Sequence, residues 1–100
     1  ADEPLFTAIF FGAHANQLDY MHQIRPLLDL DEYVLSPFEL AVLLMACHEL
    51  AAMPETPYPV IINEAIEVTK TFGGTDGHKF VNGILDKLAV QLRPNDPKRN

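Results

Sequence analysis

The longest run of apolar positions lies between Ser36 and Met53. After Ser36-Pro37-Phe38-Glu39 the chain reads Leu40-Ala41-Val42-Leu43-Leu44-Met45-Ala46-Cys47 before it meets His48 and Glu49. Ser36 suits a helix N-cap, Pro37 the first helical position, and Glu39 falls three residues past the cap. Together they predict a capping box, in which two orphan amide donors are satisfied reciprocally. Leu35 and Leu40 are placed for a hydrophobic staple around it. A helix apolar on nearly every side predicts burial on every side, in a core or a membrane. A membrane span needs roughly 20 apolar residues, and this run is bracketed too tightly by Glu39, His48 and Glu49. The pattern therefore predicts a central core helix that other helices surround.

Three further helices follow from the same kind of pattern. Over 4–28, Leu5, Ile9, Phe10 and Ala13 recur at helical spacing, and Leu18 and Met21 extend the stripe. Asp2 or Glu3 caps this helix, and Pro26 predicts a kink or an end at Arg25. An acidic connector, Asp29-Leu30-Asp31-Glu32, leads to the central helix. The proline-rich Pro54–Pro59 breaks that helix, with Thr56 as the expected cap for a helix over 58–72. Ile61, Ala65, Val68 and Phe72 mark its inner face, and Gly73-Gly74 supplies its exit. Thr75 or Asp76 caps the last helix, which ends before Pro94. Its stripe is Val81, Ile84, Leu85, Leu88 and Leu92, with Gly83 expected to permit a close helix approach. Lys87 and Arg93 near its end suit the helix dipole. No strand pattern, repeat or glycine-rich phosphate loop appears. Short connections between amphipathic helices predict an all-α antiparallel bundle of about four helices. It forms one domain over 1–100, with 94–100 as a flexible tail.

Composition narrows the function. A hydrophobic content of 48% supports a core and excludes a disordered chain. The single Cys47 has no disulfide partner within the chain and reads as a reduced core residue. The formal charge of −7 is uneven, because residues 1–50 hold eight acidic residues against Arg25 alone. Such a surface is a poor sole platform for nucleic acid, whose phosphates are met by Lys and Arg. It suits a basic protein partner. No membrane span or signal peptide is visible.

No catalytic constellation emerges. His48-Glu49 begins the zinc-protease pattern HExxH, but the second histidine position is Ala52. His14 and His22 lie eight apart without further ligands and point to solvent or partner contact. The chain therefore reads as a non-enzyme with no metal and no cofactor. The stretch with most chemistry is Phe72-Gly73-Gly74-Thr75-Asp76-Gly77-His78-Lys79-Phe80. Two aromatics bracket a glycine-rich turn and a helix start, and His78 and Lys79 add positive character. Aromatics that stack bases, beside amides and a lysine that meet phosphates, are what single-stranded RNA recognition uses. The alternative reading of the same residues is core packing by Phe72 and Phe80, with Asp76 as a cap.

Longer segments carry a resemblance. Tyr58, Ile61-Ile62-Asn63-Glu64-Ala65-Ile66-Glu67, Lys70, Phe72-Gly73, His78-Lys79-Phe80-Val81-Asn82-Gly83-Ile84-Leu85-Asp86-Lys87 and Arg93-Pro94 resemble the C-terminal half of the NusB family. His48-Glu49-Leu50 closes a helix similar to the family's preceding one, and Leu5 to Leu28 is similar to the long helix before that. These are the N-utilisation substance B proteins, bacterial transcription antitermination factors. The resemblance implies an all-helical, non-enzymatic protein. It implies pairing with a basic small-subunit ribosomal protein (N-utilisation substance E), binding of boxA RNA, and action in the RNA polymerase antitermination complex on ribosomal RNA operons in the cytoplasm. Phe72, Asp76 and Phe80, with Lys79 beside them, match the family's RNA-contacting positions. Glu39 matches a position on the ribosomal-protein side.

The family's members begin with an arginine-rich segment and further helices, which have no counterpart here. Two expectations follow: weak boxA binding by this form alone, and self-association or partial unfolding driven by the core surface those helices would cover. Two other function classes stay open at this level. One is the NusB-like RNA-binding module of an RNA cytosine methyltransferase. The other is a helical protein-interaction domain without RNA binding.

Overall fold

The start of the central helix is built as the local pattern requires. Ser36 Oγ accepts the Glu39 amide at 3.1 Å, and the Glu39 carboxylate accepts the Ser36 amide at 3.0 Å. A complete capping box with Pro37 in the first turn thus opens the helix Pro37–Ala52. A computed structural model describes residues 3–28, 35–72 and 77–96. Among these it shows five helices and no strand: α1 (Glu3–Ala15), α2 (Gln17–Ile24), α3 (Pro37–Ala52), α4 (Tyr58–Phe72) and α5 (Gly77–Leu92). The predicted all-α bundle is observed. Each of the other four helices packs on α3, and α4 packs most extensively on α5.

The helix expected over 4–28 is interrupted. Asn16 has φ −107° and ψ 19°, outside the helical region. Its side-chain amide donates to the Gly12 carbonyl at 2.9 Å, where its own backbone amide also donates. An asparagine side chain competes with the helical ladder in this way. The interruption changes the phase of the buried face. Ile9 and Ala13 are buried in α1, Tyr20 and Ile24 in α2, while Leu18 is 80% exposed. Beyond Ile24 a 3₁₀ turn over Arg25–Leu27 absorbs Pro26 and ends the helical run.

α4 keeps Ile61 and Ala65 inside, as expected, but adds Tyr58, Ile62 and Thr69 in place of Val68 and Phe72. Thr69 is fully buried at little polar cost because its hydroxyl donates to the Ala65 carbonyl at 2.8 Å. Thr56 is not the cap. The Pro57 carbonyl accepts the first amides of α4, from Val60 and Ile61. α5 buries Val81, Ile84, Leu85 and Leu88 as its stripe predicts.

Among the described glycines two allow close approach, and neither is Gly83. A Cβ on Gly12 would strike the His48 imidazole, and a Cβ on Gly77 would strike the Glu39 carboxylate. Gly83 faces open space. The acidic connector 29–32, the exit Gly73-Gly74 and the caps Thr75 and Asp76 lie outside the described residues, as do 97–100 of the expected tail. Residues 94–96 form a turn in which the Asp96 amide donates to the Arg93 carbonyl at 3.2 Å.

α3 is not buried all round. Leu43, Ala46, Cys47 and Leu50 are inside, but Ala41, Ala51 and Ala52 face outward. Val42 and Met45 border an open groove beside α1 and α4. No described helix is long and apolar enough to cross a membrane.

Candidate nucleic-acid interface

The first turn of α3 organises both sides of the connection between α4 and α5. Phe38 meets Phe72, the last residue of α4, edge to face, with ring centroids 6.3 Å apart at 66°. The next residue, Glu39, is 2% exposed and places its second carboxylate oxygen against Gly77, the first residue of α5. Its first oxygen is engaged with Ser36. The carboxylate therefore lies between the N-termini of α3 and α5, where the two helix dipoles are positive. One helical turn thus holds the end of α4 through Phe38 and the start of α5 through Glu39.

The expected RNA-facing residues occupy this junction unequally. Phe72 is 73% exposed, so its ring is open to solvent on the side Phe38 does not cover. Lys79 is exposed in the first turn of α5. Phe80, one residue on, is half-buried and packs against the core. Asp76 lies outside the described residues. Of the two bracketing aromatics, Phe72 is solvent-exposed rather than part of the core, while Phe80 does at least part of a core residue's work. Glu39 is buried at the junction, so a partner there meets first the residues that cover it.

Phe38 was not singled out from the sequence. Its signal is its place in the capping box: a large aromatic two residues past the N-cap of a helix otherwise committed to the core.

The remaining candidates resolve into structural roles. Burial pushes the Cys47 thiol up to about 12, which leaves it protonated and unreactive near neutrality. His48 accepts or donates a 2.7 Å hydrogen bond with the Tyr20 hydroxyl, and burial lowers its pKa. His14 and His22 are exposed. Among the described residues no three His, Cys, Asp or Glu side chains gather into a metal-binding group.

Comparison with known proteins decides the family. A sequence model described as the NusB family matches residues 1–90. The chain belongs to the NusB family. A NusB relative named transcription antitermination protein NusB, from Neisseria meningitidis serogroup C (strain FAM18), is 76% identical over 99 residues, covering 99% of this chain and 70% of the relative. A relative of the same name from Chromobacterium violaceum is 57% identical over 96 residues, covering 96% of this chain and 64% of the relative. Another, from Burkholderia vietnamiensis, is 55% identical over 94 residues, covering 94% and 65%. With NusB membership the chain is a non-catalytic factor, and the α3 turn, the end of α4 and the start of α5 all lie within the matched family region.

Proposed function

We propose that this chain is a transcription antitermination factor that pairs with a basic small-subunit ribosomal protein, N-utilisation substance E, and contacts boxA RNA through the α4–α5 junction. It thereby acts within the RNA polymerase antitermination complex to promote transcription of ribosomal RNA operons in the cytoplasm. The observation that carries this reading is the solvent-open ring of Phe72, propped edge-on by Phe38 beside a helix start that bears Lys79. An exposed aromatic with a second ring at its side offers a base a stacking face, and an adjacent lysine meets phosphate. Phe72, Asp76, Lys79 and Phe80 form the proposed RNA side. Glu39 acts toward the ribosomal protein by holding the two helix N-termini in register.

The net charge of −7 supports weak RNA binding by the chain alone and stronger binding once a basic partner supplies counter-charge. Self-association would rest on α1, where Phe6, Phe10 and Phe11 are exposed and the Phe10 ring contacts both of the others. Sedimentation across a concentration series tests that point.

The main test is a titration of this chain with the ribosomal protein, with and without boxA RNA, at two salt concentrations. Tight, salt-sensitive binding of the protein, with RNA affinity gained only in the complex, is the expected outcome. Absence of protein binding by a chain folded by circular dichroism would overturn the partner assignment for this form.

A further inference from the structure

We propose that Phe38 is a positioning residue for RNA: it contacts no base itself but sets the orientation in which the Phe72 ring receives one. The inference rests on the RNA reading of Phe72 and adds to it the residue through which the start of α3 governs that contact. Phe72 is the last residue of α4 and is largely exposed. A side chain so placed has little of its own helix around it, and a freely turning ring gives up rotamer freedom when it stacks. Phe38 supplies a restraint. Its ring meets that of Phe72 edge to face, 6.3 Å away at 66°. Aromatic pairs prefer this arrangement, and it contributes beyond the area it buries.

Phe38 has the fixed backbone that such a role requires. It lies between Pro37, whose ring sets its own φ, and Glu39. The two capping-box hydrogen bonds, of 3.1 and 3.0 Å, close around it by joining Ser36 to Glu39. The ring is not spent on the core. The half-buried Leu35 and Val42 to either side pack against the hydrophobic core cluster, and the half-buried Phe38 is not among the side chains that do. Phe72 lies outside that cluster as well. What the contact between the two rings fixes is therefore the direction of the exposed one. A chain of short-range constraints runs from the capping box through Phe38 to the face that Phe72 offers a base.

The experiment is a double-mutant cycle read by titration with boxA RNA, on the chain bound to the ribosomal protein and on the chain alone at low salt, where RNA binds more tightly. The fluorescent base 2-aminopurine, placed in turn along the strand, reports stacking by its quenching. Phe38→Leu removes the ring and keeps an apolar side chain. It should weaken RNA binding by about three- to tenfold when Phe72 is present, and by less than about twofold when Phe72 is already alanine. Quenching at the base stacked on Phe72 should fall with it. Phe38→Tyr keeps the ring and should restore both affinity and quenching. An equal loss in the two backgrounds would overturn the proposal, because Phe38 would then act on RNA directly or through the stability of the fold. Full affinity and quenching in Phe38→Leu would overturn it too. If Phe72→Ala itself leaves binding unchanged, the RNA reading of the junction fails, and this inference with it.

Discussion

Arg93 donates from Nη2 to the carbonyl of Glu49 at 3.1 Å, joining the end of α5 to the end of a helix 44 positions earlier. Its other donors reach Leu50 at 3.0 Å, Met53 at 2.8 Å and the Thr56 carbonyl. The last turn of any helix leaves carbonyls without amide partners. Here a single planar guanidinium, 6% exposed, satisfies those of α3 and fixes the following turn as well. Arg93 thus serves α3 rather than the dipole of the helix it follows. Arg93→Ala should lower unfolding stability by about 2–4 kcal/mol, since buried carbonyls lose their donors. Arg93→Lys should recover less than half of that, because an ammonium cannot span four acceptors. Urea denaturation of the three proteins measures both.

Glu39 ties together the N-termini of α3 and α5. Glu39→Ala removes half of the capping box and an anion between two positive helix ends, and should cost about 1–2 kcal/mol. Glu39→Gln keeps the acceptor for the Ser36 amide and should cost less than about 1 kcal/mol. If Glu39 acts on the partner side through geometry, the glutamine variant retains affinity for the ribosomal protein and the alanine variant loses it. Calorimetric titration of both separates positioning from direct charge contact.

Phe72 and Phe80 should part company under mutation. Phe72→Ala removes a largely exposed ring, so its thermal midpoint should barely change. BoxA affinity in the partner-bound complex should fall by about 1–3 kcal/mol, the worth of one stacked base. Phe80→Ala should lower stability as well, because that ring packs against the core. RNA binding unchanged by Phe72→Ala would remove the support for stacking at this junction.

Glu49 makes stability depend on pH in a defined sense. Its carboxyl is raised from the ordinary carboxylate range to about 7, first by burial, then by Glu64, with Arg93 opposing. The folded state therefore holds its proton more firmly than the unfolded chain. The associated stabilisation is fully present below about pH 4.5 and is lost as pH rises through about 7. Glu49→Gln should match wild type at pH 4 and melt higher at pH 8. His48 works the other way: its lowered pKa favours the neutral ring, so its contribution is lost as pH falls below the ordinary histidine range. That background is common to both proteins and cancels in the comparison.

Gly83 lies exposed inside α5 with nothing near the position of a Cβ. Gly83→Ala should stabilise the protein by about 0.5–1 kcal/mol through helix propensity and reduced freedom of the unfolded chain. A loss of stability would mean that a partner group or backbone approach requires the glycine. Thermal melts of the isolated chain decide this directly.

What the sequence determined by itself was what short-range physics controls. The capping box links residues three apart, so Ser36 and Glu39 specify the start of α3 whatever surrounds it. The α5 stripe was equally legible, since Val81, Ile84, Leu85 and Leu88 repeat at the helical period with polar residues between them. The family, too, was readable in the segments around Asn63 and Asn82. Tertiary structure decided the rest, where the deciding partner is far along the chain. Helical period marks a stripe but not its edge, so packing selected Ile62 and Thr69 over Val68 and Phe72 and left the Phe72 ring in solvent. A guanidinium can serve any helix end it reaches, and only the packing of α5 on α3 brought Arg93 to Glu49. The open side of α3 and the pairing of Glu49 with Glu64 likewise arise from helices meeting, because an apolar run records that burial is favourable and not which neighbour supplies it.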